Sequence, residues 1–133
     1  MSQTSLGPNL GGSSRSKYSN ERRNMINVDT VKINANTPVV FSYTLQGGVV
    51  AGTTNSTGAM AGIAMRNANP GEAFAVAYTG PTWVKTSGAP AVGASLQLDA
   101  TGAALTTKST GASVGVLVNT PVANLALVDL RLT

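Results

Sequence analysis

Two stretches of the chain read as copies of each other. Val31-Lys32, Thr37-Pro38-Val39-Val40, Gly58-Ala59 and Gly62-Ile63 recur as Val84-Lys85, Ala89-Pro90-Ala91-Val92, Gly111-Ala112 and Gly115-Val116, at an offset of 52 or 53 residues. Each copy then runs through an Asn-containing turn into an alternating apolar strand, Phe74 to Tyr78 in the first and Ala126 to Leu132 in the second. A two-fold repeat with strand periodicity predicts two half-sheets that close one β-domain. Solenoids need three or more units, so two copies favour a closed barrel. The expected repeats are residues 31–82 and 84–133, with Pro38/Pro90 and Gly62/Gly115 as paired structural positions.

The period is two from Met25 onward. Val39, Phe41, Tyr43 and Leu45 alternate with more polar positions, which predicts a strand from Pro38 to Gln46 with one apolar face. Phe74, Val76 and Tyr78 alternate with alanines. Val114, Val116 and Val118 share a face, as do Leu96 and Leu98, and Ala126, Val128, Leu130 and Leu132 close the chain. Gly47-Gly48, Asn69-Pro70-Gly71, Gly80-Pro81, Ser87-Gly88 and Thr101-Gly102 punctuate these runs as turns. Residues 58–68 are good helix formers, but the matching Val114-Gly-Val-Leu-Val118 prefers a strand, so both are expected to be strands. The fold class is therefore all-β: a small barrel or sandwich built from two related halves.

Residues 1–24 lie outside the repeat. They are Gly/Ser-rich and bury too little to offset their ordering entropy, so they are expected to form a flexible N-terminal arm before a domain of residues 25–133. Ser19-Asn20-Glu21 is a candidate for one short helical turn. The net charge of +4 is concentrated in this arm. Arg15, Lys17, Arg22 and Arg23 stand there against Glu21 alone, while the rest of the chain is nearly neutral.

The composition excludes much chemistry. There is no Cys and no His, hence no disulfide, no thiolate metal site and no imidazole base. The carboxylates Glu21, Asp29, Glu72, Asp99 and Asp129 are scattered, and Asp99-Ala-Thr-Gly102 reads as a turn in which Asp bonds its own backbone. A Ser-Lys pairing of Ser87 with Lys85 is disfavoured by the turn at Ser87. The glycines match no phosphate-binding loop. No catalytic, cofactor or metal residue is assigned. No apolar run approaches the ~20 residues of a membrane span, and no secretory signal is visible.

Two features remain. Leu6, Leu10, Arg15, Lys17, Tyr18, Arg22 and Arg23 form a strap of apolar pegs and cations. That pattern favours docking on a protein over binding nucleic acid, since no reading helix or aromatic platform accompanies it. Trp83 falls at the junction of the repeats, either sealing the seam between the halves or stacking on a ligand.

Asn69 to Tyr78, Val84 to Gly102, Gly111 to Val118 and Val128 to Thr133, following a charged arm, resemble the capsid cement (head decoration) proteins of tailed bacteriophages over residues 26–133. The resemblance implies a structural virion protein, not an enzyme. It would be made in the host cytoplasm and sit on the outer capsid surface. There, as a homotrimer, it would clamp subunits of the major capsid protein, with no nucleic-acid, membrane or small-molecule partner. The alternative is a receptor- or carbohydrate-binding tip domain of a phage fibre, against which the aromatic content of 5% counts.

Overall fold

A computed structural model describes residues 19–42 and 47–132. Leu6, Leu10, Arg15, Lys17 and Tyr18 lie outside the described residues, as do Tyr43 to Gln46 of the expected second strand. Among the described residues there are nine strands and no helix. They are β1 (Glu21–Asn27), β2 (Pro38–Phe41), β3 (Gly48–Ala51), β4 (Met60–Ala64), β5 (Ala73–Lys85), β6 (Ser95–Leu98), β7 (Leu105–Thr107), β8 (Gly115–Leu117) and β9 (Leu125–Arg131).

The strands follow the order β1-β3-β2-β4-β5-β9-β8-β6-β7, and β1 also pairs with β5. The first five therefore close into a ring, with β1 parallel to β3 and antiparallel to β5. Beyond β5 the same order runs in mirror image, β9-β8-β6-β7. A parallel bridge between Thr86 and Leu105 joins β7 back to the end of β5. The long central strand, 13 residues, thus serves as the last strand of one ring and the first of the next.

The two rings share a pattern of strand pairing, but the offset that relates them is not constant. Gly62 and Gly115 occupy the same place in each ring: a Cβ on Gly62 would fall on the carbonyl oxygen of Ala77, and one on Gly115 would stand 2.7 Å from that of Asp129. Here β4 lies on β5 and β8 lies on β9 at the offset read from the sequence. Val39 pairs with Gly62 as Leu96 pairs with Gly115, so Pro38 is matched by Ser95 and not by Pro90. Pro38 opens β2 and is buried, whereas Pro90 lies in the loop before β6. Likewise Met25 faces Phe74 as Val84 faces Ala126, so the partner of Val84 is Met25 and not Val31. Connecting loops of unequal length shift the copies progressively toward the N-terminus.

Three further expectations are corrected. Ser19-Asn20-Glu21 makes no helical turn, because Glu21 begins β1. Residues 21–24, expected to belong to the arm, pair with β5 from Thr79 to Ala75. Gly80-Pro81 is not a turn but lies inside β5. Leu132 donates its N–H to Tyr78 O (2.9 Å), which places the even-numbered residues of β5 in hydrogen-bonded pairs with β9. Pro81 falls between them, where the ladder needs no donor.

Each ring has its own core. Met25, Ile33, Val39, Val49, Phe74 and Val76 fill the first; Val84, Leu96, Leu105, Leu117, Val128 and Leu130 fill the second. Ile63 and Ala77, on the wall of the first ring, pack with the second cluster and so fill the space between the two. Burying a Leu, Ile or Val side chain contributes roughly 1.5–3 kcal/mol, which makes these positions the main source of stability.

Candidate functional site

The described part of the expected arm is pinned across the shared strand. Asn20 donates from Nδ2 to Pro81 O (3.2 Å) and to Thr82 Oγ1 (3.3 Å). The Thr79 hydroxyl donates to Glu21 Oε1 (2.6 Å). Gly80 sits between them with φ of 88°, and a Cβ there would meet Asn20 Cα and Ser19 O at 2.8 Å. Only glycine combines that left-handed conformation with so close an approach of a second backbone. Residues 19–21 therefore lie directly on the middle of β5, where the two rings join.

Arg22 and Arg23 alternate across β1 and do different work. Arg22 is exposed, and its Nε donates to Asn20 Oδ1 (2.7 Å), bracing the anchoring amide. Arg23 turns onto the barrel wall, with its guanidinium 4.2 Å from the Tyr78 ring centroid and 5.8 Å from that of Phe41. A cation over an aromatic face contributes about 0.5–2 kcal/mol depending on desolvation. Arg23 Nε is buried without a hydrogen-bond partner among the described residues. The sequence showed the pair as equivalent cations; strand alternation separates an outward one from one laid on the wall. In the sequence Asn20 and Gly80 read only as turn residues and Thr79 is unmarked, so none of the three is assigned to a site there. The available signal was a glycine inside a run whose apolar alternation continues past it.

Trp83 lies on the shared strand between buried Thr82 and Val84, yet 49% of its surface is exposed. Ile63 and Ala77, rather than Trp83, occupy the space between the rings. Trp83 pairs across strands with Leu127, whose carbonyl accepts from Val118 N–H (2.9 Å), and Val118 is itself exposed. The result is a short apolar strip on the outside of the second ring.

The carboxylates are held in separate local structures. Asp29 accepts from Ala51 N (3.0 Å), Thr30 N (2.7 Å) and the Thr54 hydroxyl (2.5 Å). Asp99 accepts from the Ser87 hydroxyl (2.9 Å) and from Thr101 N (3.1 Å) and Oγ1 (2.8 Å). Burial alone would raise both carboxyls, but these hydrogen bonds outweigh it and hold each below the usual carboxylate range. Glu72 caps Asn69 N (2.7 Å) and lies 3.6 Å from Arg66. Among the described residues no three potential ligands converge on a metal position. Ser87 donates to an acid and is not engaged with Lys85. The described residues present an edge pinned by Asn20 and Glu21 with Arg22 exposed beside it, an exposed tryptophan strip and a barrel wall.

A family model described as phage cement protein matches residues 27–132. No curated protein sequence matches the chain. Among solved structures, the crystal structure of the head fiber gp8.5 N base in bacteriophage phi29 is similar in fold. Its TM-score is 0.59 at 11% sequence identity, over 84% of this chain and 93% of that one.

Proposed function

The chain belongs to the phage cement protein family, structural phage proteins that associate with the capsid, and from this we propose that it binds the outer surface of a phage shell and stabilises it by clamping neighbouring major capsid subunits. The observation that carries the reading is the pinning of residues 19–21 across β5. A strap fixed at one end on a rigid barrel starts from a defined point. It loses less entropy on docking than one free along its whole length. Leu6, Leu10, Arg15, Lys17, Tyr18 and Arg22 are the proposed capsid contacts, and Arg23 holds the strap's root. A homotrimer would bring three such straps to the shell at once, strengthening weak single contacts through effective concentration.

The experiment is deletion of residues 2–18, which leaves β1 complete; cutting at residue 24 would remove strand that closes the first ring. The truncated protein is expected to keep its melting temperature and to lose binding to undecorated shells in a sedimentation assay. Decoration as tight as that of the full chain would refute the arm's role.

The half-exposed Trp83 favours one second reading, a receptor- or carbohydrate-binding fibre domain, because sugar sites use exposed aromatic faces. Specific glycan-array binding abolished by Trp83→Ala would place that reading first.

A further inference from the structure

We propose that the cleft where the two rings meet is a receptor for a carboxylate carried on an extended segment of a protein partner. This rests on the reading that the chain docks on other protein subunits, and it adds a second contact distinct from the arm. The cleft, about 170 Å³, is lined from the first ring by Lys32, Thr37 and Thr53 and from the second by Lys85 and Ala103. Gly52 and Gly102 also line it, and they approach so closely that a Cβ on either would fall on the other's carbonyl oxygen. Lys85 N–H donates to Asn36 O (2.9 Å), which stitches the shared strand to the loop that carries Lys32. The two lysines are thus brought together by the meeting of the rings.

The charge at this cleft is uncompensated. No acidic residue lines it, and neither Lys32 nor Lys85 has an ion-pair partner among the described residues. The acids of the adjoining loops, Asp29 and Asp99, are engaged by Thr54 and Ala51 and by Ser87 and Thr101. At ~30 Å³ per water, the cleft holds the equivalent of about five or six waters, enough for one acidic side chain. Two cations without a continuing basic track do not suit a nucleic-acid backbone, whose affinity grows with the number of phosphates neutralised. Trp83 lies two residues before Lys85 on the same face of β5, about 7 Å away along the strand. The fitting segment therefore carries an apolar side chain close to its acidic one.

The single tryptophan supplies the readout. The full chain is titrated at low ionic strength with acetylated, amidated hexaglutamate, with hexaglutamine as control, while Trp83 fluorescence is followed. A saturable change is expected with hexaglutamate alone, abolished by about 0.5 M salt because the contact is ionic. In the Lys32→Gln/Lys85→Gln variant the apparent affinity should fall at least about tenfold. Lys32→Arg/Lys85→Arg should retain binding, which separates loss of charge from loss of fold. The proposal is overturned by an absent fluorescence change, by equal titration of the Gln variant, or by inorganic phosphate saturating the signal where the peptide does not. No shell enters this titration, so it stands apart from the docking reading. Peptide binding by a chain that fails to decorate shells would sink that reading and leave the cleft. Decoration without peptide binding would do the reverse.

Discussion

Substituting alanine at Gly62 and at Gly115 tests the two-ring architecture at its paired positions. At Gly62 the added methyl falls on the Ala77 carbonyl oxygen and stands 2.8 Å from Val76 Cγ1, and the backbone has φ of 150°. Neither neighbour yields easily, since one is strand backbone and the other a buried core side chain. Overpacking costs roughly 1–3 kcal/mol and an unfavourable backbone conformation about as much again, so Gly62→Ala should cost about 2–6 kcal/mol. At Gly115 the methyl stands 2.7 Å from Asp129 O and 2.9 Å from Val128 Cγ1, with no left-handed φ. The overpacking term of about 1–3 kcal/mol then acts alone. For a domain of this size about 4 °C of melting temperature is lost per kcal/mol, so the expected drops are about 8–24 °C and about 4–12 °C. Gly71→Ala is the control: φ is 88° but the added methyl meets nothing within 4 Å, so only backbone strain of about 1–2 kcal/mol remains. Thermal unfolding followed by circular dichroism, with urea titration for free energies, measures all three. The reasoning fails if Gly62→Ala melts with the wild type, or if Gly115→Ala is the more damaging of the pair.

Two other perturbations read the polar interior. The folded-state carboxyls of Asp29 and Asp99 lie below their unfolded values, so the stability they contribute is complete above the unfolded carboxylate value of about 3.9 and is lost as pH falls through the lower folded value. Melting temperature should hold down to about pH 5 and fall below about pH 4; Asp29→Asn should melt lower at neutral pH and lose less on acidification, and an acid slope identical to wild type would contradict the assignment. Thr86 is 3% exposed and its hydroxyl has no partner among the described residues. Thr86→Val keeps the shape and removes the orphan, so it should gain about 1 kcal/mol in urea titration, and a loss of stability would show that the hydroxyl is satisfied.

The strands whose pattern is strongest were legible in the sequence. The ends of β5 and β9 announce themselves through Phe74/Val76 and Val128/Leu130, and the glycines at 62 and 115 through their common neighbours. What the sequence could not give was the drift in register, because a constant offset aligns similar residues whether or not they share a place in the barrel. Val31-Lys32 matches Val84-Lys85 by eye, yet pairing puts Met25 opposite Phe74 where Val84 lies opposite Ala126. Similarly, Gly80-Pro81 carries the composition of a turn, and only the parity of β9 pairing shows how a proline sits inside β5. The anchoring of Asn20 on Pro81 spans a sequence separation of 61, and nothing local marks it. The sequence puts Trp83 only at the junction of the repeats; its place on the strand common to both rings comes from the pairing of β5 with β9, and its outward side from Thr82 and Val84 being buried. The cleft was hidden for the same reason as the register: Lys32 and Lys85 looked like repeat copies of one position, when they are different positions brought to one place.

The central claim is that this chain is a clamp on the outside of a capsid. Electron microscopy of the phage particle that contains it tests this directly. The account predicts density for the two fused rings on the outer shell, seated across a seam between major capsid subunits, with the strap leaving β1 along a neighbouring subunit. Density for the rings at a tail tip, and none on the shell, would contradict it.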